Sequence, residues 1–255
     1  MVQGRKCIEL NQKSKQLKLM KKYLINSMLI SLMLVSFFAC NCIKGEGPMR
    51  SESRSVKKFT GIELDISANV YIEKSREFYF EIEAQESLMH LIETRVEGRT
   101  LHIYLDGNCL MSHSGISIKI GMPEVDLLDI GGSGSITLED QFTTDYLITK
   151  VSGSGDIVAD IIADEIECDI NGSGSIEILG ESSSLEIDIS GSGDVDAIRL
   201  KSRKVYVDIH GSGGARVHAA DFLRVDISGS GDVRYRGKPD IDSNINGSGD
   251  LIRLR

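Results

Sequence analysis

Four aspartates recur at one fixed place. Asp169, Asp188, Asp208 and Asp226 each stand three residues before a Gly-Ser-Gly triplet, and Asp129, Lys150 and Asn244 fill the same place in other repeats. If the repeats stack, these carboxylates form an outward ladder roughly 5 Å apart. Each neighbour repulsion is then about 0.8 kcal/mol even in bulk water. Such a strip suits a cation or a basic partner. The plainer readings are carboxylates that splay into salt-screened solvent, or that pair with a cation of the next column such as Arg224.

Two further columns flank the triplets. Asp156, Asp194, Asp232 and Asp250 directly follow them, with Ser135, Ser175 and Gly214 in the other repeats. Calcium-binding β-rolls use Gly-Gly-x-Gly-x-Asp in a shorter period. Here the Asp touches the second Gly, so a carboxylate accepting a turn hydrogen bond is the better reading. Gly131, Ser152, Asn171, Ser190, His210, Ser228 and Asn246 directly precede the triplets. These small polar groups read as a structural ladder, His210 included. His90, His102, His113 and His218 are scattered without metal-ligand spacing, so no metal or cofactor is expected.

Catalytic motifs are missing. No triplet continues into the Gly-Lys-Ser/Thr of a phosphate loop. No helical pattern follows a triplet, so none is a nucleophile elbow. Seven equivalent turns cannot all be an active site, and no catalytic residue is assigned.

The elements that position these columns follow from the spacing. Gly-Ser-Gly begins at residues 132, 153, 172, 191, 211, 229 and 247, at intervals of 18 to 21. Two, four and six residues before a triplet stand Ile189, Ile187 and Leu185, then Ile209, Val207 and Val205, then Ile227, Val225 and Leu223. Period two means a strand with one buried face. Ile136, Ile157, Ile176, Val195, Ala215, Val233 and Leu251 open a second inward pattern after each turn. A flexible Gly/Ser linker would lack these flanks. The period is too short for a propeller blade, and the leucine-rich signature is absent. An all-β parallel solenoid of about seven coils is predicted. Ser133, Ser154, Ser173, Ser192, Ser212, Ser230 and Ser248 then form one turn column.

Residues 56–124 alternate less regularly, as in Ile62–Ile66, Phe78–Ile82, Leu101–Leu105 and Ile116–Ile120. Leu88, Leu91 and Ile92 predict a short helix over 86–94. Terminal coils of solenoids are commonly atypical, so this stretch reads as the capping half of one domain, 56–255.

The N-terminus reads as an address. Lys21 and Lys22 precede an apolar run, Leu24–Phe38, that is short for a membrane span and suits a signal peptide. Phe37-Phe38-Ala39-Cys40 resembles a bacterial lipobox, which makes Cys40 the expected lipid attachment site. Phe37 and Phe38 depart from the usual Leu and small residue. An uncleaved anchor and ordinary secretory cleavage are the alternatives. Residues 1–19 precede a complete signal and read as a mis-assigned start, with residues 40–55 as a tether. Cys7, Cys42, Cys109 and Cys168 form no disulfide framework, and Cys168 takes an inward, packing position.

Composition agrees. Residues 1–39 carry +6 and the remaining 216 carry −15. That acidity disfavours nucleic acid. The absence of Trp and only 5% aromatic residues argue against an extensive sugar-stacking platform.

Phe59-Thr60-Gly61-Ile62, the Glu83–Ile103 segment, Met122-Pro123-Glu124 and the repeated Gly-Ser-Gly turns together resemble the auto-transporter adhesin head GIN domain family of Bacteroidetes lipoproteins. The resemblance covers roughly residues 56–255. It implies a right-handed β-helix in the cell envelope and supplies no catalytic residues. The expectation is a non-enzymatic, lipid-anchored envelope protein whose rigid solenoid surface serves adhesion, binding or envelope assembly, with a glycan or envelope protein as partner; a purely structural spacer is a further reading. The competing expectation is a carbohydrate-active β-helix enzyme acting on an extracellular polysaccharide. Turnover of acidic polysaccharides would reveal it.

Overall fold

Alternating Ile, Val and Leu give strands that can bury one face only against a copy of themselves, and the chain solves this by coiling. The computed structural model describes residues 42–105, 109–112 and 115–255. The signal region and Cys40 lie outside the described residues. The first strands are β1 (Cys42–Lys44), β2 (Met49–Ser53), β3 (Gly61–Leu64), β4 (Asn69–Lys74) and β5 (Tyr79–Gln85). A one-turn helix, α1 (Glu86–Met89), precedes β6 (Ile92–Glu97), β7 (Thr100–Leu105), β8 (Cys109–Ser112) and β9 (Ser117–Met122). The repeats give β10 (Leu127–Ile130), β11 (Ser135–Leu138) and β12 (Phe142–Val151). Four long bent strands follow: β13 (Asp156–Gly172), β14 (Ser175–Gly191), β15 (Asp194–Gly211) and β16 (Gly214–Gly229). The last are β17 (Asp232–Arg236), β18 (Asp240–Gly247) and β19 (Leu251–Arg253).

Each turn separates two faces. The pre-turn face stacks β7, β3, β10, β12, β13, β14, β15, β16 and β18, every neighbour parallel. The post-turn face stacks β9, β4, β11, β13, β14, β15, β16, β17 and β19, again parallel. The expected parallel solenoid is therefore the observed one. At the N-terminal end the direction reverses: β6 runs antiparallel to β7, and β5 and β2 run antiparallel beyond β9.

The Gly-Ser-Gly spacing has a steric cause. The serine N–H groups of Ser154, Ser173, Ser192, Ser212, Ser230 and Ser248 each donate to the first-glycine carbonyl of the preceding turn, at 2.8–3.1 Å. Ser133 lies in the first of these turns, so all seven serines stand in one column, as expected. Turns this close leave no room for side chains on the flanking positions. A Cβ on Gly172 would lie 2.3 Å from the Gly153 oxygen, and one on Gly174 would lie 2.2 Å from the Gly155 oxygen. Gly172 also holds φ of +146°. Only the middle residue points outward, where Ser is free to stand.

The interior is made of aliphatic columns. Ile166, Leu185, Val205 and Leu223 align, as do Ile170, Ile189, Ile209 and Ile227, and all are buried. Each such side chain contributes about 1.5–3 kcal/mol on burial. Cys168 is fully buried among them, as expected, and burial pushes its thiol up to about 12. The Ser182 and Ser202 hydroxyls bond to each other at 2.6 Å inside the stack, so neither is left without a partner.

Two expectations are corrected. The helix ends at Met89, because Ile92, Thr94 and Val96 alternate and zip antiparallel onto β7. The expected tether over residues 40–55 is in part a strand: Met49–Ser53 pairs with β5. All five of its residues are exposed, so backbone bonds hold it and no apolar alternation marks it.

Candidate functional site

Parallel pairing in register brings the aspartate ladder together. Asp169, Asp188, Asp208, Asp226 and Asn244 are direct neighbours on successive strands. Lys150, Asp129 and Glu63 extend the column towards the N-terminus. Because neighbouring strands lie about 4.8 Å apart, like charges cannot avoid one another.

The members fare differently. Asp226 accepts a bond from Arg224 Nε at 3.0 Å and another from Asn244 Nδ2 at 3.2 Å. Both hold its carboxyl below the usual carboxylate value. Asp208 meets His210 Nδ1 at 3.1 Å. Among the described residues, Asp169 and Asp188 have neither ion pair nor side-chain hydrogen bond. Desolvation raises the Asp188 carboxyl, and Glu186, Asp208, Asp169 and Glu167 add repulsion. Asp129 is raised as well, by burial and by Glu63, against the pull of Lys150.

Two residues before the ladder runs a second outward column: Glu167, Glu186, Tyr206, Arg224 and Asp242. Between the two columns lies an open groove of about 370 Å³, lined by Glu186, Asp188, Tyr206, Asp208, Arg224 and Asp226. Tyr206 leans against Phe222, ring centroids 5.9 Å apart. The groove thus offers carboxylates beside an aromatic ring. Its carboxylates sit in a line along a sheet and do not converge. Among the described residues no three His, Cys, Asp or Glu side chains gather as metal ligands.

The post-turn column has a different fate. Asp156 accepts from the Ser175 hydroxyl at 2.5 Å, Asp194 from the Gly214 N–H at 2.9 Å, and Asp232 from the Asp250 N–H at 3.1 Å. The expected local turn bonds are corrected: each of these carboxylates reaches across to the next coil and does not close within its own turn. Ion pairs cover the neighbouring positions: Arg199 with Glu177, Arg216 with Asp196 at 2.7 Å, and Arg234 with Asp232 at 3.0 Å.

Sequence reading missed Glu186 and Tyr206, which share the groove with the ladder. Both stand five residues before a triplet, so the repeat register was a usable signal. It also missed a cationic corner. Lys201, His218 and Arg236 are direct neighbours on successive strands, at intervals of one coil.

The chain resembles several solved structures. A putative adhesin from Bacteroides fragilis NCTC 9343 matches with a TM-score of 0.77 at 22% identity, covering 83% of this chain and all of that one. A putative lipid binding protein from Parabacteroides distasonis ATCC 8503 matches with a TM-score of 0.72 at 26% identity, over 84% of this chain and all of that one. A putative adhesin from Parabacteroides merdae ATCC 43184 gives 0.67 at 21%, over 84% and 99%. No curated protein matches this sequence. The family described as "Putative auto-transporter adhesin, head GIN domain" matches residues 58–239, which carry six of the seven Gly-Ser-Gly turns and every Asp of the two columns except Asp250; the chain belongs to that family.

Proposed function

We propose that the chain is a non-enzymatic envelope lipoprotein, anchored through Cys40, whose pre-turn face binds a basic partner. One observation carries the reading. Of two aspartate columns flanking the same turns, Asp156, Asp194 and Asp232 of one accept hydrogen bonds from the next coil, while Asp169 and Asp188 of the other have no partner among the described residues, and Asp188 lines a groove. A linear acidic strip on a stiff sheet presents charge at fixed spacing, which favours an extended basic surface over a chelated ion. The names of the neighbours, adhesins and a lipid binding protein, are in keeping with a binding role. The run Lys21–Cys40 supports the anchor.

The test has two arms. A Cys40→Ala protein expressed in a Bacteroidetes host loses lipid labelling and leaves the detergent phase. An Asp188→Asn/Asp208→Asn protein keeps its anchor but binds less to the envelope or matrix fraction that retains the wild type. Unchanged lipid labelling overturns the anchor, and unchanged retention overturns the binding face.

A further inference from the structure

The C-terminal coils carry a feature the acidic face does not explain. Lys201, His218 and Arg236 form one outward column, and the chain then turns through Gly237 and Lys238. Arg253 aligns with Tyr235, so the core column Val217–Tyr235 is capped by a cation where an aliphatic residue would continue it. His218, Arg236, Lys238, Arg253 and Arg255, with Gly237 and Leu254, line a cavity of about 640 Å³. None of the lining residues is Asp or Glu, in a chain whose net charge is −9.

The corner is built. Gly237 holds φ of +106°, and a Cβ there would lie 1.9 Å from the Ala219 oxygen, so the turn sits tight on the preceding coil. The Leu254 N–H donates to the Tyr235 oxygen at 2.7 Å, fixing the last strand. Arg253 Nη2 donates to the Gly237 oxygen at 2.8 Å. That bond orients the guanidinium and leaves its other N–H donors unspent.

The arginines of the same coils show what is unusual. Arg199, Arg203, Arg216, Arg224 and Arg234 each have a carboxylate partner. Lys201, Arg236, Lys238 and Arg253 have none among the described residues. Clustered unpaired cations repel one another, and a bound anion would relieve that repulsion.

We propose that this corner is a binding site for a phosphate-type oxyanion, held by Arg236, Lys238 and Arg253 with His218 at its inner wall. Guanidinium forks match tetrahedral oxyanions, and the cavity leaves room for the organic group of a phosphate ester. The inference does not rest on the acidic face. It also gives His218 a role as reporter. Burial, Lys201 and Arg236 hold its imidazole below the usual value. Lys201 and Arg236 face it from the adjacent coils, and Lys238, Arg253 and Arg255 share its cavity. A bound anion offsets that field and raises the His218 pKa, so protonation of His218 and anion binding favour one another.

The experiment is an NMR titration of His218 in the full chain, with sodium phosphate against sodium chloride at matched ionic strength. Phosphate raises the His218 pKa and chloride does not. An Arg236→Gln/Lys238→Gln protein binds phosphate at least about tenfold more weakly. Lys238→Gln alone provides the same comparison if the double variant is not folded. Phosphatidylcholine vesicles with and without phosphatidic acid separate the sources. Retention by the acidic vesicles, competed by phosphate, assigns a lipid headgroup. A phosphate response without vesicle retention assigns a soluble phosphate ester. Equal His218 shifts in phosphate and chloride, or an unchanged response in the folded variants, overturns the site.

Discussion

The two aspartate columns on either side of the turns share residue type, period and parallel stacking, yet end in opposite states. After the turn, Asp alternates with Ser or Gly from coil to coil through Asp156, Ser175, Asp194, Gly214 and Asp232, and only the last step, to Asp250, repeats Asp. Each carboxylate therefore finds a hydroxyl or a backbone N–H on the next coil. Before the turn, four Asp stand in succession, and the column offers them donors only at its two ends, Lys150 and Asn244. Alternation turns charge into structure, whereas repetition leaves charge on the surface. Repetition costs stability, and the proposed binding face would offset that cost when occupied.

The largest expected effect breaks both columns at once. Gly191 has φ of +128°, and a Cβ there would lie 2.4 Å from the Gly172 oxygen. Gly191→Ala should lose about 3 kcal/mol or more, read by urea unfolding. Ser192→Ala, one residue on and pointing outward, should change little. Equal small effects would mean that the turns are not stacked as tightly as described.

A paired comparison follows, of smaller size and opposite sign. Asp194→Ala removes the acceptor of the Gly214 N–H and should cost about 0.5–1 kcal/mol. Asp188→Asn removes a repelled charge and should gain a few tenths of a kcal/mol at pH 7 and low salt. Added salt should erase the gain and spare most of the loss. Two changes of the same sign would remove the distinction between the columns.

The smallest effect lies in the pH dependence. The Asp188 and Asp129 carboxyls are raised in the folded state. Their stability contribution is then full below the usual value of 3.8 and is lost as pH rises through the folded values. Asp226 is lowered, so its contribution is present above the usual value and lost as pH falls through its folded value. Thermal unfolding of wild type and Asp188→Asn should converge in acid and separate towards neutrality, the variant being the more stable. Separation in acid with convergence at neutral pH would reverse the assignment.

Much of this was legible in the residues. Glycine reports forbidden Cβ atoms, so Gly-Ser-Gly spacing located the stacked turns, and inward Ile and Val located the strands. One further turn escaped because it lacks that mark. Leu64 and Asn69 align with Ile130 and Ser135, which places Ile66-Ser67-Ala68 over Gly132-Ser133-Gly134. Among the described residues none other than glycine has positive φ, so Ile66 and Ala68 need no glycine there. Strand β2 escaped because an exposed edge held by backbone bonds needs no pattern. The fate of each aspartate was out of reach for another reason. It depends on whether Arg224 reaches along its own strand to Asp226 or across to Asp208, and side-chain reach leaves no periodic trace.

The pre-turn face, and not acidity at large, is the proposed binding surface. Oligolysine binding, followed by calorimetry at low salt, tests it with two variants of equal charge. Asp188→Asn/Asp208→Asn should weaken binding about tenfold, a change of about 1.4 kcal/mol, while Asp194→Asn/Asp232→Asn should leave it within about twofold of wild type. Equal losses in the two variants would show that oligolysine reads only net charge, and would contradict the claim.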